Sequence, residues 1–168
     1  MHIEIFPMDR IVIDGTAIRF GMEQSAVEAA IGSGQRIGAR QYYFNCEMAI
    51  DYRDGKVDFI EFSAGLDGAL RPVIYGASAF DTEADALLEI LMQKNDGPIG
   101  DTERGHSYQL HNISIGLYRE AIPEDIREMV KEAADFGNPM SDGEIRDEMR
   151  KAEHWASLGV GAPGYYRR

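Results

Sequence analysis

The chain has 168 residues, 44 % of them hydrophobic and 27 % charged, which suits one globular domain whose core needs no disulfide or metal. Its single cysteine, Cys46, excludes an intrachain disulfide and a thiolate zinc site. Twenty-nine acids against 17 basic residues give a net charge of −12, which repels nucleic acid and anionic membranes and speeds encounter with a basic partner.

The first ten residues, MHIEIFPMDR, show no basic stretch followed by an apolar run, so no signal peptide is expected. No apolar run approaches transmembrane length, and the expected compartment is the cytoplasm. Ile3, Ile5, Ile11 and Ile13 alternate with polar residues, and Asp14-Gly15 turns the chain into TAIRF, a pattern of short strands. Residues 22–31 place Val27, Ala30 and Ile31 on one helical face, closed by Gly32. SGQRIGAR then reads as a loop, and QYYFN and MAIDY as strands. Cys46, after these aromatics, is expected in the core.

AIDYRDGKVDFIEF, residues 49–62, turns at Asp54-Gly55, a preferred pair for a two-residue hairpin. An unbroken register sets Arg53 opposite Lys56, Tyr52 opposite Val57, Asp51 opposite Asp58, Ile50 opposite Phe59 and Met48 opposite Glu61. Facing aspartates suggest a metal site or an acid/base pair. Their diagonal neighbours, Lys56 for Asp51 and Arg53 for Asp58, favour a solvated hairpin tip instead. Glu61 falls out of phase with Ile60 and Phe62, which requires either a bulge near Phe59-Ile60 or a strand apolar on both faces. It is expected at a rim, bonded to an amide or an arginine.

After the turn-rich AGLDGALRP, VIYGASAF is strand-like. Asp81 or Thr82 is expected to cap a helix running to about Met92, with Leu87, Leu88 and Leu91 buried. KNDGPIGDTERG reads as a loop, HSYQL and ISIGLY as strands. Pro123 opens a helix whose apolar face is Ile126, Met129, Val130 and Ala133, ended by Gly137. Ser141 and Glu144 stand at capping-box spacing before a last helix lined by Ile145, Met149, Ala152 and Ala156 and closed by Gly159. Tyr165 and Tyr166 are expected to pin the C-terminal segment to the core. The fold class is therefore α+β, an antiparallel sheet with three to four packed helices in one domain, 1–168. Residues 11–64 and 73–119 look alike in outline, as a duplicated strand–helix–strand–strand unit.

The negative charge is uneven. Residues 81–104 carry a net −5 and residues 120–153 a net −6, the latter from eleven acids and five bases. Asp96, Asp101 and Glu103 in the Gly/Pro-rich loop, with Asp85 on the preceding helix, form the candidate partner-binding patch. The acidic helices after Pro123 are the other candidate. A metal site from Asp101, His106 and His111 matches no strong ligand spacing, so no metal or cofactor is expected. GSG at residues 32–34 lacks the pattern of a phosphate loop.

AIRFGMEQSAVEAAIGSG, the YY pair, IDYRDGKVDFIEF, IGLYRE and GVGAPGYY together resemble immunity-type proteins, the cognate inhibitors found beside secreted polymorphic or contact-dependent bacterial toxins. The resemblance touches about half the chain. Its motifs are structural signatures, so no binding residue carries over. It implies a non-catalytic cytoplasmic protein that occludes the active site of a basic toxin domain. The alternatives are a small hydrolase or ligand-binding enzyme using Glu61, His106 and His111, and a structural or regulatory module.

Overall fold

The computed structural model describes residues 1–101, 103 and 105–168; Thr102 and Arg104, part of the expected 94–105 loop, lie outside the described residues. β1 (Ile3–Phe6), β2 (Arg10–Ile13) and β3 (Thr16–Arg19) form an antiparallel meander that buries Ile3, Ile5, Ile11, Ile13 and Ile18. Asp14 and Gly15 have φ of 46° and 86°, as a two-residue hairpin turn requires. α1 (Gln24–Ile31) ends at Gly32 and buries Val27 alone; Ala30, expected on its inner face, is exposed. SGQRIGAR is not all loop, because β4 (Gln35–Ile37) pairs with β5 (Arg40–Tyr43). Cys46 is exposed rather than core, in a turn where Phe44, Asn45 and Cys46 all have positive φ.

β6 (Met48–Arg53) and β7 (Lys56–Ser63) make the expected hairpin, with one correction. Past Tyr52–Val57 the register shifts, so Asp51 pairs with Phe59, Ile50 with Ile60, Ala49 with Glu61 and Met48 with Phe62. Asp58 is the extra residue of the bulge, and the two aspartates do not face each other. The bulge keeps Val57, Ile60 and Phe62 on the core side and turns Asp58, Phe59 and Glu61 to the other face. Neither aspartate is freely solvated: Asp51 accepts from Arg40 at 2.7 Å, and Asp58 accepts from Arg168 at 2.7 Å and lies 3.6 Å from Arg53. Lys56 lies 3.7 Å from Glu23 instead of pairing with Asp51.

β8 (Pro72–Ile74) and β9 (Ala77–Ser78) precede α2 (Ala84–Asn95). The N-cap of α2 is Glu83, not Asp81 or Thr82, and no side chain caps it; Asp81 accepts from Ser78 Oγ at 2.6 Å. Leu87 and Leu91 are fully buried and Leu88 half-buried. β10 (Ile99–Asp101) lies inside the expected loop, followed by β11 (Ser107–Leu110) and β12 (Ile115–Tyr118). α3 (Pro123–Asp135) and α4 (Asp142–Ala152) come next, and Ser141 and Glu144 form the expected capping box. α4 stops at Ala152, and β13 (Ser157–Gly161) replaces the expected helix end at Gly159. A single 3-10 turn, Tyr165–Arg167, follows.

The described residues form two sheets, not one. The five-stranded sheet runs β3-β2-β1-β8-β9, with β1 parallel to β8; the eight-stranded one runs β10-β11-β12-β13-β7-β6-β5-β4 and is antiparallel throughout. One hydrophobic cluster draws on both sheets, α1 and α2. Each half of the chain places a hairpin at one edge of the small sheet, then a helix, then a meander entering the large sheet from one edge.

β13 sits at the centre of the large sheet, and its outer face is built of glycine. A Cβ on Gly159 would lie 2.5 Å from the Phe59 ring and 2.8 Å from the Tyr166 hydroxyl, and one on Gly116 would overlap that hydroxyl. Tyr165 stacks on Phe59 at 4.6 Å, and Tyr166 stands edge-on to both rings.

Candidate functional site

A cleft of about 480 Å³ opens where β7, β12 and β13 meet the C-terminal end of α4. Its floor is Trp155, Ala156, Ser157 and Ser63. One wall is the 64–67 turn, which Arg71 fixes by donating to the carbonyls of Leu66, Gly68 and Leu70. The other is α4, through Glu148 and Lys151, and half-exposed Tyr118 lies at the lip.

Four carboxylates line this cleft: Glu61, Asp67, Glu120 and Glu148. Glu61 is bonded to Arg40, as its rim position leads one to expect, and Glu148 accepts from Lys151 at 3.2 Å. Among the described residues Asp67 and Glu120 enter no ion pair, and both are exposed. The arrangement suits a cationic group. His154 donates Nδ1–H to the Arg150 carbonyl at 2.7 Å; among the described residues it bonds to neither Ser63 nor Ser157. An activated serine needs such a bond.

A buried arginine supports the floor. Arg119 is 7 % exposed, stacks over Trp155 at 4.9 Å, and donates to the carbonyls of Gly105 and Ala152 at 3.1 and 3.0 Å. Trp155 Nε1 donates to the Ala84 carbonyl at 2.9 Å. The first turn of α2, the last turn of α4 and the 105 loop are thereby tied together.

The residues singled out from sequence are only partly gathered. Asp85, Asp101 and Glu103 are exposed near the start of β11, and Asp85 lies 3.5 Å from Arg119. Asp96 is at the other end of α2, about 17 Å along the helix, so the four form no single patch. His106 and His111 bracket β11 at opposite ends, about 16 Å apart along the strand. β11 is separated from β7 by two strands, about 14 Å, so Glu61 meets neither histidine. Among the described residues no group of three histidine, cysteine or acidic side chains is placed to hold a metal ion. No helix there is long and apolar enough to cross a membrane.

His106 has a different role. Its Nδ1 is 2.7 Å from the Glu103 carbonyl and its Nε2 is 2.7 Å from Asp125 at the start of α3. Both partners are acceptors, and only the imidazolium donates from both nitrogens. The Glu103 carbonyl first, then the Asp125 carboxylate, raise the His106 pKa above its usual value. The Ile122 amide and His106 hold Asp125 below the carboxylate range.

Asp67, Glu148 and the neighbouring pair Tyr118 and Glu120 come from three separate segments, so no spacing in the sequence announced their meeting. Comparison of the chain with protein families, with curated proteins and with solved structures returns no match.

Proposed function

We propose that this chain is a non-catalytic cytoplasmic binding protein that neutralises a basic protein, of the bacterial toxin type, by covering its active site. The observation that carries the reading is the convergence of carboxylates from separate segments on one concave surface, with Asp67 and Glu120 unpaired among the described residues. A lysine or arginine of the partner would enter between them and lie against Tyr118. The acidic residues 120–153 flank the same cleft through Glu120, Glu148 and α4, and supply the long-range attraction. The sequence resemblance to immunity-type proteins points the same way. An interface of ordinary size, about 1,600 Å² in total, would hide an enzyme's active site.

The test is co-production with the product of the adjoining reading frame. The expected result is rescue of growth from that product and a purified complex whose affinity falls with salt. An Asp67→Asn/Glu120→Gln variant should bind at least tenfold more weakly. If the adjoining product is harmless and does not bind, the reading is wrong.

A further inference from the structure

α3 and α4 pack chiefly on each other and form a helical hairpin, the arm. Only Ile126 of α3 and Ala152 of α4 are buried. Both lie near the base, where His106 holds Asp125 and Arg119 holds the Ala152 carbonyl. Among the described residues the tip, residues 136–141, makes no such tie to the body. Phe136 stands there 88 % exposed, and Met129 is 38 % exposed. Phe136 caps the C-terminal end of α3, seven residues or about two turns beyond Met129, so the two lie on about the same side of the helix axis. On α4, half-buried Ile145 and Met149 lie in an open depression of about 430 Å³, edged by Asp142, Arg146, Arg150 and Glu153.

A phenylalanine held in water at the end of a tethered hairpin forgoes its hydrophobic stabilisation. Aromatic and methionine side chains are the ones that anchor interface centres. Here they sit among charges that sum to −6 over residues 120–153.

We propose that the α3–α4 arm is the docking element for the basic protein partner, resting on the binding function proposed above. Phe136 and Met129 enter an apolar depression on that partner, and the surrounding carboxylates meet its lysine and arginine rim. Charge selects this occupant. A second copy would bring two surfaces of −6 together, a like-charge juxtaposition that disfavours association.

The test uses the purified product of the adjoining reading frame, with affinity read by calorimetry and association rate by stopped flow. Three variants of the full chain are compared: Met129→Ser/Phe136→Ser at the arm, Glu128→Gln/Glu132→Gln/Asp135→Asn beside it, and Asp67→Asn/Glu120→Gln in the cleft. The arm pair should weaken binding at least tenfold while lowering the melting temperature by no more than about 4 °C, since Phe136 is already in water and Met129 is covered only in part. The charge triple should slow association severalfold at 20 mM salt and leave it unchanged at 500 mM, where exposed charges are screened. If both arm variants bind as the original chain does while the cleft variant weakens, the binding function stands and the arm is not the interface. If the original chain does not bind, both proposals fall. A dimer that sedimentation detects and the arm pair dissolves would make the occupant a second copy, which also overturns the proposal.

Discussion

His106 and Asp125 hold the base of the arm through charge, so that contact depends on pH. Because the folded pKa of His106 is raised, its contribution is complete below about 6.5, the unfolded value, and is lost as pH rises through the folded value. Asp125 is depressed, so its contribution is present above the ordinary aspartate value and is lost as pH falls through the folded one. NMR titration should place the His106 midpoint above 6.5, and Asp125→Asn should bring it down. A wild-type midpoint at or below 6.5 would mean that the contact does not persist in solution. Gly116 and Gly159 constrain the chain sterically. Gly116→Ala puts a methyl where the Tyr166 hydroxyl sits and should cost about 1–3 kcal/mol in urea melts. In a Tyr166→Leu background the cost should shrink, with a coupling of at least about 0.5 kcal/mol. Equal costs in both backgrounds would show that Tyr166 does not lie on the glycine floor.

The elements legible in the sequence are those fixed by local chemistry. Asp14-Gly15 and Asp54-Gly55 specified their hairpins, and Ser141 with Glu144 specified the start of α4. Elements fixed from a distance were not legible. β4 and β10 are three-residue edge strands that exist because β5 and β11 offer them a free edge. β13 carries two glycines, which lower its strand propensity, yet its centre position needs them because Tyr165 and Tyr166 lie over it. The bulge at Asp58 was half legible: Glu61 out of phase pointed to a bulge near Phe59-Ile60 or to a strand apolar on both faces, and the shift falls one residue before that place. Of the cleft only Glu61, at a rim beside an arginine, was legible, since the walls meet only in the folded chain. Two contrasts test the packing. Leu87→Ala or Leu91→Ala should cost about 2–5 kcal/mol, because both side chains are fully buried on α2. Arg119→Met keeps the stem against Trp155 but strands the Gly105 and Ala152 carbonyls, for about 1–3 kcal/mol. Losses below 1 kcal/mol for both leucines would show that α2 is seated differently.

For the molecule as a whole, the shared core and the unbalanced charge set the expected response to denaturation. Both sheets, α1 and α2 feed one hydrophobic cluster, and Trp155 lies in it at 1 % exposure. Trp155 fluorescence and far-UV circular dichroism should therefore report one coincident transition. Salt acts on that transition in two opposed ways. It weakens ion pairs such as Arg40–Asp51, but exposed or half-exposed pairs are each worth only about 0–1 kcal/mol. It also screens the mutual repulsion of a chain carrying −12, whose acids crowd into residues 120–153. At 0.01 M the screening length is about 30 Å, so the whole charged surface repels itself; at 0.15 M it is about 8 Å, and only near neighbours do. Repulsion acts among many charges and each pair among two, so screening should win. The melting temperature should rise by a few degrees from 10 to 150 mM sodium chloride, and Glu128→Gln/Glu132→Gln/Asp135→Asn should reduce that rise. A fall with salt would mean that the Arg40 and Arg168 pairs outweigh the repulsion, and that the acids of the arm are held by partners within the chain rather than left free for one outside it.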